Sequence, residues 1–224
     1  MRPFNSITWN GESSLKFGIR ILDKEIPRPS PGDRHERIQI DGRDGDLFVD
    51  LRAIPSVSYP LPIHLLDVSK SDEIVAWLRS NPKGDLELSW DDEYVYKATY
   101  LDDHEIVTKL IRLGHAELPF VLQPWKYLKS GQTSVTGTTL NNPTTYPSKP
   151  IYTISGTGDV DTLINGELIR LKNMSGAVTI DTEREILTGT EWSNVLTYPF
   201  PKLKPGANTF SHSITVIPNW RVRL

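Results

Sequence analysis

The 224-residue sequence contains no cysteine. Disulfide bridges, thiolate zinc sites, iron–sulfur clusters and a cysteine nucleophile are therefore excluded. It also lacks any apolar run of the roughly 20 residues that a membrane span requires, and its opening, MRPFNSITWNGESS, has no apolar core of signal-peptide length. We therefore expect a chain that is made in the cytoplasm, with no membrane partner.

An excess of basic charge is also absent. The formal net charge is −3 at pH 7, and the acidic excess lies in the first 129 residues. Because proteins that bind nucleic acid usually present a clustered basic face, we expect no sequence-specific nucleic-acid partner.

Familiar catalytic and metal-binding motifs are missing as well. The G-x-S-x-G turn that presents the nucleophile of a serine hydrolase does not occur. No histidine pair has the close spacing of an HExxH zinc site. The five histidines are His35, His64, His104, His115 and His212. Scattered in this way, they predict surface or hydrogen-bonded core residues rather than a metal site.

What the sequence does contain is turns and short alternating runs. It has 17 prolines and 15 glycines. Asn10-Gly11 and Asn165-Gly166 are typical of two-residue hairpin turns, because both residue types tolerate a positive φ. The final run, SITVIPNWRVRL, alternates through Ile214 and Val216 and predicts one or two closing strands. These patterns indicate a mainly β protein.

Two segments carry helical signals. SKSDEIVAWLRSNP predicts a short helix with Ser69 or Ser71 as its N-cap and an apolar stripe of Ile74, Trp77 and Leu78. Pro82 would end it. The segment 105–125 is ambiguous: its β-branched residues and a turn at Gly114-His115 favour a hairpin over a helix.

A polar segment divides the chain. Residues 130–150, SGQTSVTGTTLNNPTTYPSKP, consist mostly of Ser, Thr, Gly, Asn and Pro. We therefore predict two domains, residues 1–130 and 131–224, with an edge strand around 134–140 inside the dividing segment.

The stretch IQIDGRDGDLFVDLR, residues 38–52, gathers aspartates around two glycines. An EF-hand calcium loop needs glycine at its sixth position and oxygen ligands at alternate positions. Counting from Asp41 puts Asp46 at the sixth position, and counting from Asp44 puts Phe48 at the fifth. Both registers fail, so the stretch predicts a turn between two strands.

Two further stretches contain residue types that occur in phosphate-binding or catalytic sites. SGTGD, residues 155–159, is glycine-rich, but a phosphate site needs a helix to begin there, so we expect a β-turn. Acidic residues cluster in WDDEYVY and LDDHE, and glycoside hydrolysis needs two opposed carboxylates. Acidic runs at strand ends are more often solvated turns. No metal, cofactor or catalytic residue is predicted.

The order of several weak motifs is similar to that of siphophage distal tail proteins (Dit). The first half follows the family order through the segments ITWNGESS, FGIRI, GRDGDLFVD, a helix ending in AWLRSNP, YVYKATY and FVLQPWKYL. In the second half, LNNPTTYPSKPIYTISGTGDVDTLING, VTID and FPKLKPGANTFSHSITVIPNWRVRL do the same. The resemblance covers nearly the whole chain.

The resemblance implies a structural hub of a siphophage tail tip. Such proteins form hexameric rings between the tail tube protein and the tail-tip, tail-fibre or tail-lysin protein, leave a channel for DNA, and in some phages carry receptor-binding proteins. It implies two β-sandwich domains, the N-terminal one ring-forming with a short helix and the C-terminal one galectin-like. Gly42, Arg43, Asp44 and Gly45 would lie in the ring-forming domain, with Arg43 and Asp44 at a subunit contact.

Two alternatives remain open at this point. A lectin-like protein could stack host glycans on Trp192 or Trp220. A glycoside hydrolase could use acids among Asp91, Asp92 and Asp103. The C-terminal half has no insertion long enough for a separate sugar-binding module.

Overall fold

The computed structural model of the protein describes residues 5–29, 35–50, 53–101 and 106–224, with the side chain of Val107 excepted. Its strands and helices follow in the order β1 Ile7–Trp9, β2 Glu12–Ser13, β3 Ile19–Arg20, β4 His35–Ile38, β5 Leu47–Asp50, β6 Val57–Leu65, α1 Ser71–Ser80, β7 Lys83–Leu88, β8 Tyr94–Tyr100, α2 Ile106–Leu113, β9 His115–Leu128, β10 Val135–Asn142, β11 Ile151–Ile164, β12 Glu167–Asp181, β13 Ile186–Thr188, β14 Gly206–Ile217 and β15 Arg221–Arg223.

These elements form two compact units. The first comprises Met1–Lys126 with Leu224, and the second comprises Tyr127–Arg223. The first unit is built on a sheet in the strand order β2-β1-β7-β8-β9-β6-β3, and the second on a sheet in the order β10-β14-β11-β12-β13. The expected architecture, mainly β with a short helix beside the N-terminal sheet, is confirmed.

The core of the first unit follows from strand alternation. Successive side chains of a strand point to opposite faces, and in β6 every second residue, from Val57 to Leu65, is buried. Leu61 and Ile63 are fully covered, and burying such a side chain contributes roughly 1.5–3 kcal/mol. Ile74, Trp77 and Leu78 of α1 join the same core, as their spacing predicted.

The second unit depends on one long hairpin. β11 and β12 pair from Ile151 opposite Asp181 to Ile164 opposite Glu167. Asn165 and Gly166 turn between them with φ of 53° and 87°, so the hairpin predicted here is confirmed. β10, the edge strand predicted in the polar segment, is also confirmed.

The hairpin preferred for 105–125 is wrong. α2 occupies Ile106–Leu113, and β9 begins directly afterwards at His115. Ile106 and Leu110 lie one helical turn apart, and both are fully buried. Gly114, with φ of 69°, ends the helix in the left-handed conformation that favours glycine, instead of forming a hairpin turn.

Two smaller expectations are also corrected. Neither Ser69 nor Ser71 is the N-cap of α1: the cap position is Lys70, because a 3-10 turn capped by Asp67 leads straight into the helix. SGTGD is no β-turn. It lies inside β11, where the register shifts between Gly158 and Val160, because pairing with β12 holds the strand together through a β-bulge.

Candidate functional site

The GRDG stretch connects the two strands of a separate hairpin. β4 and β5 pair from His35 opposite Asp50 to Ile38 opposite Leu47, and form a two-stranded sheet. Gly42 and Gly45 both have φ of 80°. Hence the predicted turn between strands is confirmed. We call residues 35–50 the arm.

Almost every residue of the arm is exposed to solvent. Its pairing register places Ile38, Leu47 and Val49 on one face, and Arg37 and Phe48 on the other. Phe48 exposes 61% of its surface. The arm therefore presents apolar side chains on both faces without burying them in its own unit.

Charged side chains lie at the tip of the arm. Arg37 on β4 pairs with Asp46. Arg43 and Asp44 are exposed, and neither side chain has a hydrogen-bond or ion-pair partner among the described residues. Neighbouring charges of opposite sign can each form a charge-assisted bond with another surface.

The physical properties of the arm favour a contact with another protein. An isolated two-stranded hairpin is at best marginally stable in water. Among the described strands its outer edges have no ladder partner, and such an edge is a template for pairing with another chain. Covering the arm with a second surface would bury its apolar residues. This arrangement suits assembly with another protein surface.

The four histidines within the described residues do not share one centre. His64 Nε2 lies 2.7 Å from Glu25 Oε2, and the rings of His64 and His115 are 5.9 Å apart. His212 contacts Thr162, His35 belongs to the arm, and His104 lies outside the described residues. Across residues 5–29, 35–50, 53–101 and 106–224, no three ligating side chains form a group that could hold a metal ion.

The acidic cluster at Asp91 has a structural role. Asp91 lies in the turn between β7 and β8. Its carboxylate is 2.6 Å from Lys126 Nζ and accepts a hydrogen bond from the Tyr96 hydroxyl. Burial, and then this bond, raise the pKa of Tyr96. Asp92 is exposed, and Asp103 lies outside the described residues.

Of the two tryptophans considered for glycan stacking, only Trp192 is accessible. Trp220 is buried in the core of the second unit, so it cannot be a platform, and this part of the lectin alternative is wrong. Trp192 exposes 47% of its surface. Burial could not be read from the sequence, because Trp192 lies in a short 3-10 turn and Trp220 in the connection between β14 and β15, and neither segment has a strand or helix periodicity. No helix in the described part of the chain is long and apolar enough to cross a membrane.

The chain resembles a known protein in its fold and not in a recognised sequence family. No protein-family profile and no curated protein matches the chain. The structure matches the crystal structure of the Dit protein (gp 19.1) of phage SPP1 with a TM-score of 0.62, covering 96% of this chain and 98% of that one. This chain has the Dit fold. At 12% sequence identity the match establishes the fold. The resemblance to Dit proteins that the motif order predicts is confirmed by this shared fold.

The SPP1 Dit protein is described as a paradigm of the hub adsorption apparatus in phages that infect Gram-positive bacteria. The match extends over both units of the present chain. The Dit fold therefore accounts for the whole chain rather than for one domain of it.

Proposed function

We propose that this protein is the distal tail protein of a siphophage and forms the hub of its tail tip. The observation that carries the proposal is the Dit fold over 96% of the chain, matched to 98% of the SPP1 protein. The same motif order along the sequence supports it independently. The protein would be made in the host cytoplasm and would function at the tail tip of the virion.

The hub would be a homo-hexameric ring built by the first unit. A ring arises when one surface of a subunit binds a different surface of the next and the rotation closes. The arm supplies one such surface, and we infer that Arg43 and Asp44, between Gly42 and Gly45, lie at this subunit contact. Their exposure and their lack of described partners support this assignment.

The ring would join the tail tube protein on one side to the tail-tip, tail-fibre or tail-lysin protein on the other. Receptor-binding proteins would attach to it in phages that display them there. DNA would pass through the central channel, and the acidic excess of the first half would discourage DNA from binding to the wall. This role is structural and requires no catalytic residue or cofactor.

The first test is the molar mass of the purified protein by light scattering after size exclusion, followed by negative-stain images of the peak. A hexamer with a central hole is expected. If the protein stayed monomeric even when mixed with the purified tail tube and tail-tip proteins, the proposed hub function would be contradicted.

The assigned contact is tested by the double variant Arg43→Ala, Asp44→Ala. Removing a buried interfacial charge partner costs about 2–5 kcal/mol, so the ring should dissociate at protein concentrations at which the wild type is intact. The matched control is Arg170→Ala, Asp161→Ala, which removes an exposed Arg–Asp ion pair of the second unit. The assignment fails if both double variants assemble like the wild type.

A further inference from the structure

The second unit carries an aromatic cluster, with two exposed rings on a buried one, that the hub role does not use. It consists of Trp192, Tyr198 and Phe200, in the connection between β13 and β14. Phe200 is buried, and the rings of Trp192 and Tyr198 lie 5.9 Å and 6.1 Å from it. Tyr198 exposes 62% of its surface. Exposed apolar surface of this kind marks interaction sites when it is contiguous.

The Tyr198 ring is held in place. Its hydroxyl donates a hydrogen bond of 2.9 Å to Glu185 Oε1, and its ring meets Phe200 edge to face. A rigid aromatic side chain offers a large contact area at a low cost in conformational entropy. Tyr198 therefore has the properties of a preformed platform.

A small pocket opens beside this platform. It has a volume of about 140 Å³ and is lined by Lys149, Thr182, Glu185, Tyr198, Pro199, Phe200 and Lys202. Neither Lys149 nor Lys202 forms an ion pair through its side chain in the described part of the chain. Thr182 already donates its hydroxyl proton to the carbonyl of Pro150. The free polar groups are thus two ammonium groups and the remaining acceptor capacity of Glu185.

These groups favour an anionic ligand with hydroxyl groups. Lysine is a point-charge partner for phosphate and carboxylate. The Glu185 carboxylate accepts hydrogen bonds, which suits a hydroxyl and disfavours a bare anion. The volume is below the roughly 300–1,000 Å³ that encloses a drug-sized ligand. There is room for one ring or its substituent, and the rest of a longer molecule would remain in solvent.

We propose that Tyr198 and this pocket form a subsite for one saccharide unit that carries a phosphate or carboxylate group. The apolar face of the sugar ring packs on Tyr198, the anionic group binds Lys149 and Lys202, and a ring hydroxyl donates to Glu185. The site differs from the Trp192 or Trp220 platform considered from the sequence. It does not depend on ring formation, but six copies in one assembly would strengthen binding to a polymer by avidity.

The test uses the full-length protein without an affinity tag and measures ligand binding by saturation-transfer NMR and calorimetry. The probes are glucose 1-phosphate, glucuronate, glucose, inorganic phosphate and AMP. Millimolar binding of at least one of the two anionic sugars is expected, with glucose and inorganic phosphate at least about tenfold weaker. Tighter binding of glucose 1-phosphate or of glucuronate shows whether the anionic group of the ligand is a phosphate or a carboxylate.

Variants locate the site. Tyr198→Ala and Lys202→Ala should each weaken binding about tenfold or more, while Tyr198→Phe, which keeps the ring, should retain most of it. Lys172→Ala, at an exposed lysine of β12, is the matched control and should have no effect. The molar mass of each variant shows whether assembly is intact, so a failure here is separable from a failure of the hub.

Several outcomes would overturn the inference. Inorganic phosphate that binds as well as the sugars and ignores Tyr198→Ala would indicate a nonspecific anion site. If glucose bound as tightly as the anionic sugars, Lys149 and Lys202 would contribute nothing to the affinity for the ligand. Tighter binding of AMP would indicate a nucleotide site, and absence of binding by every probe would leave the cluster as a protein contact.

Discussion

The substitution Phe48→Ala tests whether the arm is covered by another subunit. Phe48 lies on β5 opposite Arg37 and exposes 61% of its surface in the single chain. Because it packs so little within its own unit, its removal should change the stability of the monomer by no more than about 0.5 kcal/mol. Its removal should instead weaken assembly.

The size of the effect follows from the exposed area. A phenylalanine side chain buries about 150–250 Å² when it is fully covered. The exposed fraction of Phe48 leaves about 90–150 Å² to be covered in the ring, which corresponds to roughly 2–4 kcal/mol per contact. The dissociation constant of one contact should rise by about one to three orders of magnitude, with the upper figure as a limit, because area converts to affinity incompletely.

Sedimentation velocity over a concentration series would measure this shift, and urea unfolding would measure the stability of the chain. The matched control is Ile186→Ala, which truncates an apolar residue of the second unit that is 51% exposed. Assembly of Phe48→Ala at wild-type concentrations would refute the reasoning. So would a large loss of monomer stability, since it would show that Phe48 already packs within its own chain.

Two further predictions concern stability. Gly189→Ala should lower the free energy of unfolding by about 1–3 kcal/mol, because Gly189 has φ of 92° and an added Cβ would lie 2.3 Å from the Ala177 carbonyl oxygen. Urea unfolding measures this loss. It should be smaller for Gly42→Ala, where φ is 80° and no atom lies within contact distance of the added Cβ. Burial raises the pKa of Tyr59 from 10.0 to about 12, so the folded state favours the neutral phenol. The contribution of this group to the free energy of unfolding is therefore constant below pH 10. It should fall by about 1.4 kcal/mol per pH unit as the pH rises from 10 towards 12. Tyr59→Phe should remove that part of the alkaline decline, and an unchanged pH profile would contradict the assignment.

Local signals were sufficient where the backbone itself imposes a requirement. The two Asn-Gly steps form hairpin turns because both residues accept a positive φ. The stripe of Ile74, Trp77 and Leu78 predicted α1, because a helix with one apolar face must bury that face. In each case the information lies within a few neighbouring residues.

Local signals failed where distant residues decide the structure. SGTGD has the composition of a turn, but the ladder to β12 keeps it extended. The β-branched residues of α2 favour a strand, but its contact with α1 and the burial of Ile106 and Leu110 stabilise a helix.

The mainly β class, the hairpin turns, α1 and the absence of cysteine chemistry follow from the amino-acid sequence alone, because composition and local backbone preferences are sufficient for each. Which side chains are accessible depends on the folded chain. The fold left the arm uncovered, buried Trp220, and brought Lys149, Glu185 and Lys202 beside Tyr198 from separate parts of the second unit. Such placement depends on pairing between strands far apart in the chain, and no local pattern encodes it.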